Sequence, residues 1–597
     1  MLIVDVEVFH DYFLCMFKDI GTGKVAAFEM FDGQPLNVDR VSQLMRSRVT
    51  VGFNSNSFDL FIIAKALAGG RCGELKNLSD EIIKSNLPAW RVARDRNVSV
   101  PRQWDHIDLI EVAPGQASLK IYGGRLHCPT MQELPIDPDA SISPEQRGQL
   151  RVYCKNDLDT TESLFRTLEP AIKLRAEMGK QYGGIDLRSK SDAQIAEAVI
   201  KHELTEMTGK EYRPPKADIG SVVRYRDPFF VGFFTADLME TFERILKTGF
   251  PIGLNGAVKM PDWLAQKRIR IGQTEYQMGI GGLHSCEKCQ SIAAGPGEIL
   301  ADFDVASYYP SIILKLRLAP PKMGDDFLKV YQSIVSRRLE AKLRKDKLTA
   351  DTLKIVVNGS FGKLGSMYSA LYAPELMIQT TITGQLCLLM LIERLESRRI
   401  RVVSANTDGI VVLCPKALAG ELEDITFGWM LDTSFELERS NYRAIHSRDV
   451  NNYIAVKLDG STKRKGVFAE PGLSKNPEFT IVADAMAEFL ATAKPVEETI
   501  RLCADITKFV SIRRVTGGGI WRGAYLGKSV RFYYSTGVGR EEQISYAKNS
   551  NKVPKTDGAR PAMTLPATLP ATLPGDVDYD RYIELAREGL KDMGVRL

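Results

Sequence analysis

The sequence predicts a multidomain protein built from α/β and α+β bodies, and three observations carry that expectation. Its 597 residues are enough for several domains of roughly 100–200 residues each. Residues 1–190 alternate short β-branched runs with amphipathic helical stretches, the pattern of an α/β body. Farther on, two strand-like segments, 299–313 and 401–413, each carry acids beside β-branched residues, and a helical pair lies between them.

Taken in order, residues 2–8 alternate inward and outward like a strand. Residues 48–53 form another, leading into a turn. From Ser57, the run 58–67 is helical and stops at Gly69-Gly70. Residues 145–169 make a longer amphipathic helix, and Pro170 does not exclude its continuation. Residues 191–295 read as a connecting region of mixed character. Residues 298–303 and 401–412 supply strands, the second a hairpin turning at 406–409. Residues 326–347 and 349–363 make two helices of a hairpin arm. Beyond about 456 come basic segments and short strands such as 529–534. The run 564–574 repeats Thr-Leu-Pro-Ala every four residues, which favours an extended linker within 554–575. A last helix over 579–593 has Tyr582, Leu585, Ala586, Leu590 and Met593 on one face. Asp578 and Asp580 suit its positive end, and it is expected to dock back onto the body.

Composition excludes several classes. The chain is 44% apolar and 26% charged, ordinary for a soluble globular protein. No uninterrupted apolar run reaches the roughly 18–20 residues of a membrane span, and Met1-Leu2-Ile3-Val4-Asp5 lacks the basic start of a signal peptide. A cytoplasmic protein with no membrane partner is expected. Nine scattered cysteines suggest free thiols, and the CxxC at Cys286 and Cys289 has no second pair, so it reads as an ordinary loop. The net charge of +5 permits nucleic-acid binding without arguing for it.

The chemistry lies in the acids. Nucleotidyl transfer must deprotonate a hydroxyl and stabilise charge on a transferring phosphoryl group, which two Mg²⁺ ions about 3.5–4 Å apart can do. Asp304 and Asp408 fit as their ligands if the two strands lie side by side. Lys354, Asn358 and Phe361 share one helix face, and Arg338 and Lys342 form a second i, i+4 basic pair. Such a face can grip triphosphate oxygens; a solvated charged helix reads the same way at 337–347.

These segments resemble motifs A, B and C of the family B DNA polymerases. Asp304-Val305-Ala306-Ser307-Tyr308-Tyr309-Pro310-Ser311 is similar to Asp-x-x-Ser-Leu-Tyr-Pro-Ser. Residues 354–362 resemble Lys-x-x-x-Asn-Ser-x-Tyr-Gly, and Asn406-Thr407-Asp408-Gly409 resembles Asp-Thr-Asp-Ser. The resemblance implies a right-hand palm, fingers and thumb. Asp304 and Asp408 would hold Mg²⁺, two per active site with Mn²⁺ as a substitute, and Lys354 would bind nucleotide phosphate. Tyr309 would lie under the sugar and Phe361 would line the base-pair pocket. Asn406 stands where the family has its first motif C acid, Gly359 where it has Ser, and Phe361 where it has Tyr.

A second set lies upstream. Asp5 and Glu7 share one strand face, Asp59 adds a third acid, and Tyr153 and Asp157 sit one helical turn apart. Four acids can bind two metals while Tyr153 orients an attacking water. The segments resemble the motifs of DEDD 3′–5′ exonucleases joined to family B polymerases, implying a ribonuclease H-like domain in which Asn54 and Phe58 bind the strand. Asp105 and Asp108 have no such match and read as structural.

Tyr276-Gln277-Met278-Gly279-Ile280-Gly281-Gly282-Leu283-His284 resembles a longer-spaced form of the family's template-contacting Tyr-x-Gly-Gly loop. A plain turn is the alternative there, and His284 reads as structural or DNA-contacting. Lys463 and Lys465 resemble its Lys-x-Tyr primer contact, and Arg513-Arg514 and 528–531 are further candidate grips, or plain surface charge.

The implied division is an exonuclease over 1–190, a connector over 191–295, a palm over 296–321 and 367–455, fingers over 322–366 and a thumb over 456–597. Asp304 to Lys354 spans 50 positions and Lys354 to Asp408 spans 54, which leaves no room for the insertions of protein-primed members. The resemblance therefore implies a compact phage-type enzyme, replicating phage or mobile-element DNA in a host cytoplasm. It would be a monomer working on primer-template DNA and dNTPs, with possible processivity or replisome factors as partners. Two alternatives stand beside it: a catalytically silent DNA-binding replication factor, and an exonuclease with a vestigial polymerase domain.

Overall fold

Strands β1 (Leu2–Val8), β2 (Tyr12–Asp19), β3 (Val25–Phe31), β4 (Thr50–Gly52) and β5 (His106–Asp108) form a sheet in the order β3-β2-β1-β4-β5. β1, β2 and β3 are an antiparallel meander, and β4 and β5 run parallel to β1. This comes from a computed structural model that describes residues 1–566 and 572–596. Alternate residues of β1 divide the core. Leu2, Val4 and Val6 pack with Leu60, Ile62 and Ile63 of the helix Asp59–Leu67. Ile3 packs with Leu150, Cys154 and Leu158 of the helix Pro144–Gln181 on the other face. Asp5 and Glu7 share the Ile3 face. The long helix starts at a Ser143–Gln146 capping box and runs 38 residues, straight through Pro170.

After a two-stranded ribbon, β6 (Val222–Arg224) with β7 (Gly249–Pro251), comes a sheet of ten strands. They are β8 (Ile269–Ile271), β9 (Thr274–Met278), β10 (Leu283–Ser285), β11 (Lys288–Ala293), β12 (Glu298–Val305), β13 (Arg401–Asn406), β14 (Gly409–Pro415), β15 (Leu437–Asp449), β16 (Asn452–Lys457) and β17 (Thr462–Arg464). Their order is β17-β16-β15-β12-β14-β13-β10-β9-β8, with β11 also paired to β15. The sheet takes β8–β11 from the stretch read as a connector. It also extends through β17, past the boundary expected at 456, because β16 pairs with β15 and β17 in turn pairs with β16.

β12 sits centrally, with Leu300, Ala301, Phe303 and Val305 buried and Asp304 exposed. Ala301, Phe303 and Val305 pack on Ile378, Ile382 and Leu386 of the helix Pro374–Ser397. That helix is long and apolar enough by composition to cross a membrane, yet 89% of its apolar window is buried inside the protein. It is the core support of the sheet. Leu300, Asp302 and Asp304 point to the opposite face.

The expected helical arm is formed by Gly324–Leu343 and Lys347–Leu364, with Asp346 capping the second helix. It leans on the helix Asp192–Thr208, where Leu353, Val356 and Val357 meet Ile195, Ala196 and Val199. This contact explains Gly359: a Cβ there would lie 2.6 Å from the Asp192 carbonyl oxygen. A serine at that position would push the two helices apart.

The C-terminal body adds β18 (Ser511–Trp521), β19 (Ala524–Tyr534), β20 (Ser545–Tyr546) and β21 (Ala559–Pro561) around Phe479, Phe509, Phe532 and Tyr582. The final helix Tyr579–Asp592 docks through Tyr582, Ala586 and Leu590, and Asp578 accepts from the Arg581 N–H at 3.1 Å. The linker expected over 554–575 is docked where it is described: the Leu565 N–H donates to the Pro129 carbonyl at 2.7 Å. Residues 567–571 lie outside the described residues. Arg531 is no DNA grip. Its guanidinium is fully buried and donates to the carbonyls of Cys128, Pro129, Ala562 and Met563, tying this body to the first. Arg513 pairs with Glu478, whereas Arg514 and Lys528 are exposed.

Candidate active sites

The two acidic stretches do lie side by side. β12 pairs with β14 so that Asp304 faces Gly409, and the Val305 N–H donates to the Asp408 carbonyl at 2.7 Å. Gly409 has a steric reason: a Cβ there would meet Asp304 Oδ1 at 2.3 Å. Thr407, at φ 56°, takes the left-handed conformation that makes the turn this tight. Its N–H donates to the Leu283 carbonyl at 2.8 Å, and Gly282 approaches so closely that a Cβ would sit 3.0 Å from Thr407. The β9–β10 turn therefore buttresses the acid turn.

Asp304 and Asp408 look into a cleft of about 620 Å³, which Arg338, Lys342, Asn406, Glu436, Glu438, Lys463 and Lys465 also line. Burial, then the charge of Asp302, pushes the Asp304 carboxyl up to about 6, although half of its side chain is open to the cleft. Burial also raises Asp408. Arg338 donates to Ser307 Oγ at 3.3 Å, and its Nε is buried with no partner among the described residues. Tyr309 packs on Phe361 with ring centroids 4.3 Å apart and planes tilted by 32°, and its hydroxyl donates to the Gly281 carbonyl at 2.9 Å. The structure thus gathers Asp304, Asp408, Arg338, Lys342, Lys463 and Lys465 around one cleft. Tyr309, Phe361 and Gly281 form a contact set at its side. Lys354 and Asn358 are exposed on the arm and do not line the cleft.

Two expectations need correction. Tyr276 is fully buried in β9, between Ile269 and Ser285 on the flanking strands, so it cannot touch template. Its apolar ring follows the inward parity of Thr274 and Met278. Lys463 is not a free surface grip: its Nζ lies 2.9 Å from Asp302 Oδ2 and 3.9 Å from Asp304 Oδ2. Asn406 also has a local reason. Its amide donates to the Val450 carbonyl and to Asn451 Oδ1, while its own oxygen accepts from Thr407. An ionised aspartate could not donate to either acceptor.

The four-acid set converges in the first body. Asp5 is pushed up to about 7 by burial and then by Asp157. Glu7 is raised by burial and by Asp5, and Asp59, in the first turn of its helix, for the same two reasons. Burial raises Asp157 too, against the pull of Lys120, with which it forms an ion pair. Lys120 Nζ sits 4.2 Å from the Tyr153 ring centroid. Burial and Asp157 drive the Tyr153 phenol upward, so it stays protonated as a donor. Ligand atoms of Asp5, Glu7 and Cys154 lie within 4.8 Å of one another, and the Cys154 thiol donates to Asp5. Asn54 is exposed at φ 60°, held by its N–H on Asp108 Oδ1 at 2.8 Å, and Phe58 is partly buried beside it. Asp108 also accepts from the Asn56 N–H, and Asp105 pairs with Arg188, so both acids brace the fold. Sequence reasoning missed Lys120, Cys154 and Asp302, whose roles come from contacts distant in sequence.

No family model matches this chain. Among curated proteins, DNA polymerase 1 of the archaeon Aeropyrum pernix is 24% identical over 215 residues. That match spans 30% of this chain and only 22% of the relative. Among solved structures, the family B DNA polymerase from the hyperthermophilic archaeon Pyrobaculum calidifontis overlays with a TM-score of 0.42 at 15% identity, covering 100% of this chain and 78% of that one.

Proposed function

We propose that this chain is a DNA-directed DNA polymerase of the family B kind, extending a nucleic-acid primer and carrying a 3′–5′ proofreading exonuclease in its first body. The observation that carries the reading is the pairing of Asp304 with Gly409, which sets Asp304 beside Asp408 in a cleft that Arg338 and Lys342 also line. The matched stretch of the Aeropyrum relative, itself called a DNA polymerase, agrees with it. The meander-then-parallel order β3-β2-β1-β4-β5 supports the ribonuclease H-like reading of the first body.

Both sites fit divalent cations by donor chemistry. The first crowds four carboxylates whose burial and mutual repulsion oppose ionisation, a state that a bound cation relieves. The second offers two hard oxygen donors in an open cleft. We assign Asp5, Glu7, Asp59 and Asp157 to one Mg²⁺ pair and Asp304 and Asp408 to the other; Mn²⁺ suits the same oxygens. Bound Mg²⁺ lowers the pKa of the attacking oxygen and offsets charge on the transferring phosphoryl group.

The protein's own groups do the rest. Arg338 and Lys342 face the acids and can hold triphosphate oxygens. Tyr309, pinned between Phe361 and the Gly281 carbonyl, is a rigid ring against which a sugar can rest. Lys465 on the opposite wall is placed for a backbone phosphate of the primer-template. Tyr153 keeps its proton and can donate to, or orient, a water beside Asp157. Lys354 and Asn358 reach a nucleotide only if the arm rotates inward. Cytoplasmic replication of phage or mobile-element DNA, as a monomer aided by processivity factors, is the setting this activity suits. The test is extension of a 5′-labelled hairpin primer with Mg²⁺ and dNTPs. Wild-type protein that never lengthens the primer sinks the polymerase reading and leaves an exonuclease with a vestigial polymerase, or a silent DNA-binding factor.

A further inference from the structure

The cleft holds one arrangement that the proposed chemistry does not use. Asp302 lies two residues before Asp304 on the same strand, hence on the same face, but its side chain is almost wholly buried. Its Oδ2 accepts from the Tyr442 hydroxyl at 2.5 Å and from Lys463 Nζ at 2.9 Å. Lys463 comes from the edge strand β17. Its stem crosses the sheet face to reach β12, and its ammonium stops 3.9 Å from Asp304 Oδ2. A flexible ammonium so close to a half-exposed carboxylate will close on it unless a better partner restrains it. Asp302, buried and braced by Tyr442, is that partner. Asn406 is already committed to the Val450–Asn451 turn and offers no charge.

We propose that Asp302 is a positioning residue of the nucleotidyl-transfer cleft: it holds Lys463 off Asp304, leaving the Asp304 carboxylate free to take a divalent cation. The acid that Asn406 does not supply is thereby replaced two strands away, on the far side of β14, acting through Lys463 and not as a ligand. This rests on the reading of Asp304 and Asp408 as cation ligands.

The inference makes a non-additive prediction. In Asp302→Asn, Lys463 loses its anionic anchor and collapses onto Asp304, so it competes with the cation. Removing the competitor as well, in Asp302→Asn/Lys463→Met, frees Asp304 again. Binding of Mn²⁺ to the full-length chain is followed by the electron paramagnetic resonance of the free ion. Asp5→Asn and Asp59→Asn are included throughout to silence the first site. Relative to that parent, Asp302→Asn should bind Mn²⁺ roughly tenfold more weakly, the scale of an ammonium brought from 3.9 Å into direct contact with Asp304 in a partly solvated cleft. The double variant should return to within about twofold of Lys463→Met alone. Tyr442→Phe, which removes the brace and leaves the ion pair, should lose less than Asp302→Asn. Retained degradation of single-stranded DNA by Asp302→Asn in the unsilenced chain reports that the variant is folded. If Asp302→Asn binds Mn²⁺ as tightly as the parent, or the double variant binds no better than Asp302→Asn, the inference is overturned while the cation site stands. If the parent has no Mn²⁺ binding that Asp408→Asn removes, the cation reading of the cleft falls first and takes the inference with it.

Discussion

The two carboxylate groups of this molecule solve opposite electrostatic problems. In the first body, four acids are crowded into a buried pocket with Lys120 as their close cation, and burial raises every one of them. In the ten-stranded sheet, Asp304 and Asp408 stand in an open cleft walled by Arg338, Lys342, Lys463 and Lys465. Once ionised, the crowded site carries more negative charge than Lys120 can balance, and bound cations or protons must offset the rest. The open site already carries nearly as much positive charge as negative, which suits a polyanionic substrate more than a cation alone. A buried cluster can therefore be expected to respond to Mg²⁺ by itself, and the cleft chiefly to DNA and nucleotide.

The largest effect should come from removing one acid of the buried set. Asp59→Ala should slow degradation of single-stranded DNA by about 10³-fold or more, equivalent to about 4 kcal/mol of lost transition-state stabilisation, and leave primer extension intact. Gel analysis of a labelled oligonucleotide checks both. A smaller effect, confined to the other site, is expected of Gly409→Ala. The added methyl meets Asp304 Oδ1, and displacement of that carboxylate should slow extension by about 10²-fold without slowing degradation. Loss of both activities together would mean that the two sites are not independent.

Arg531 tests how the bodies are joined. Arg531→Met removes the guanidinium from four carbonyls of the junction; Pro129 and Met563 keep backbone donors, whereas Cys128 and Ala562 lose theirs. It should cost about 3 kcal/mol of stability in a denaturant melt, with little change in either rate per folded molecule. The smallest effect separates the sites thermally. Asp5 is raised to about 7 in the fold, so stability falls as pH rises from the ordinary carboxylate range to about 7, and the full cost is in place above that. At pH 8 and without metal, Asp5→Asn should melt roughly 2–4 °C higher than wild type. Mg²⁺ should raise the midpoint of wild type more than that of the variant. Equal Mg²⁺ responses would contradict the contrast between the two sites.

Much of this was legible in the sequence because it is local. Alternation placed Asp5 and Glu7 on one strand face, helical spacing placed Tyr153 over Asp157, and the short turn at 406–409 placed Asp408 at a hairpin tip. What was not legible depends on partners far along the chain. Tyr276 looked like an exposed loop aromatic, but β10 and β8 enclose it. Lys463 looked like a DNA contact, but its anchor Asp302 is 161 positions away. Arg531 looked like surface charge, but its acceptors Cys128 and Pro129 belong to the other end of the chain. Gly359 looked like a departure from a motif, and the Asp192 carbonyl supplies its reason. Charged side chains with long reach are where local reading fails, since their role is set by the neighbour they find.

The central claim is that one chain carries two separate carboxylate sites, one for building DNA and one for removing it. A single reaction tests it: a 5′-labelled hairpin primer-template with Mg²⁺, with and without dNTPs, given to Asp408→Ala and to Asp5→Ala. The account predicts a crossed result. Asp408→Ala shortens the primer but never lengthens it, and Asp5→Ala lengthens it but never shortens it. Extension that survives in Asp408→Ala, or one variant that abolishes both reactions in folded protein, would contradict it.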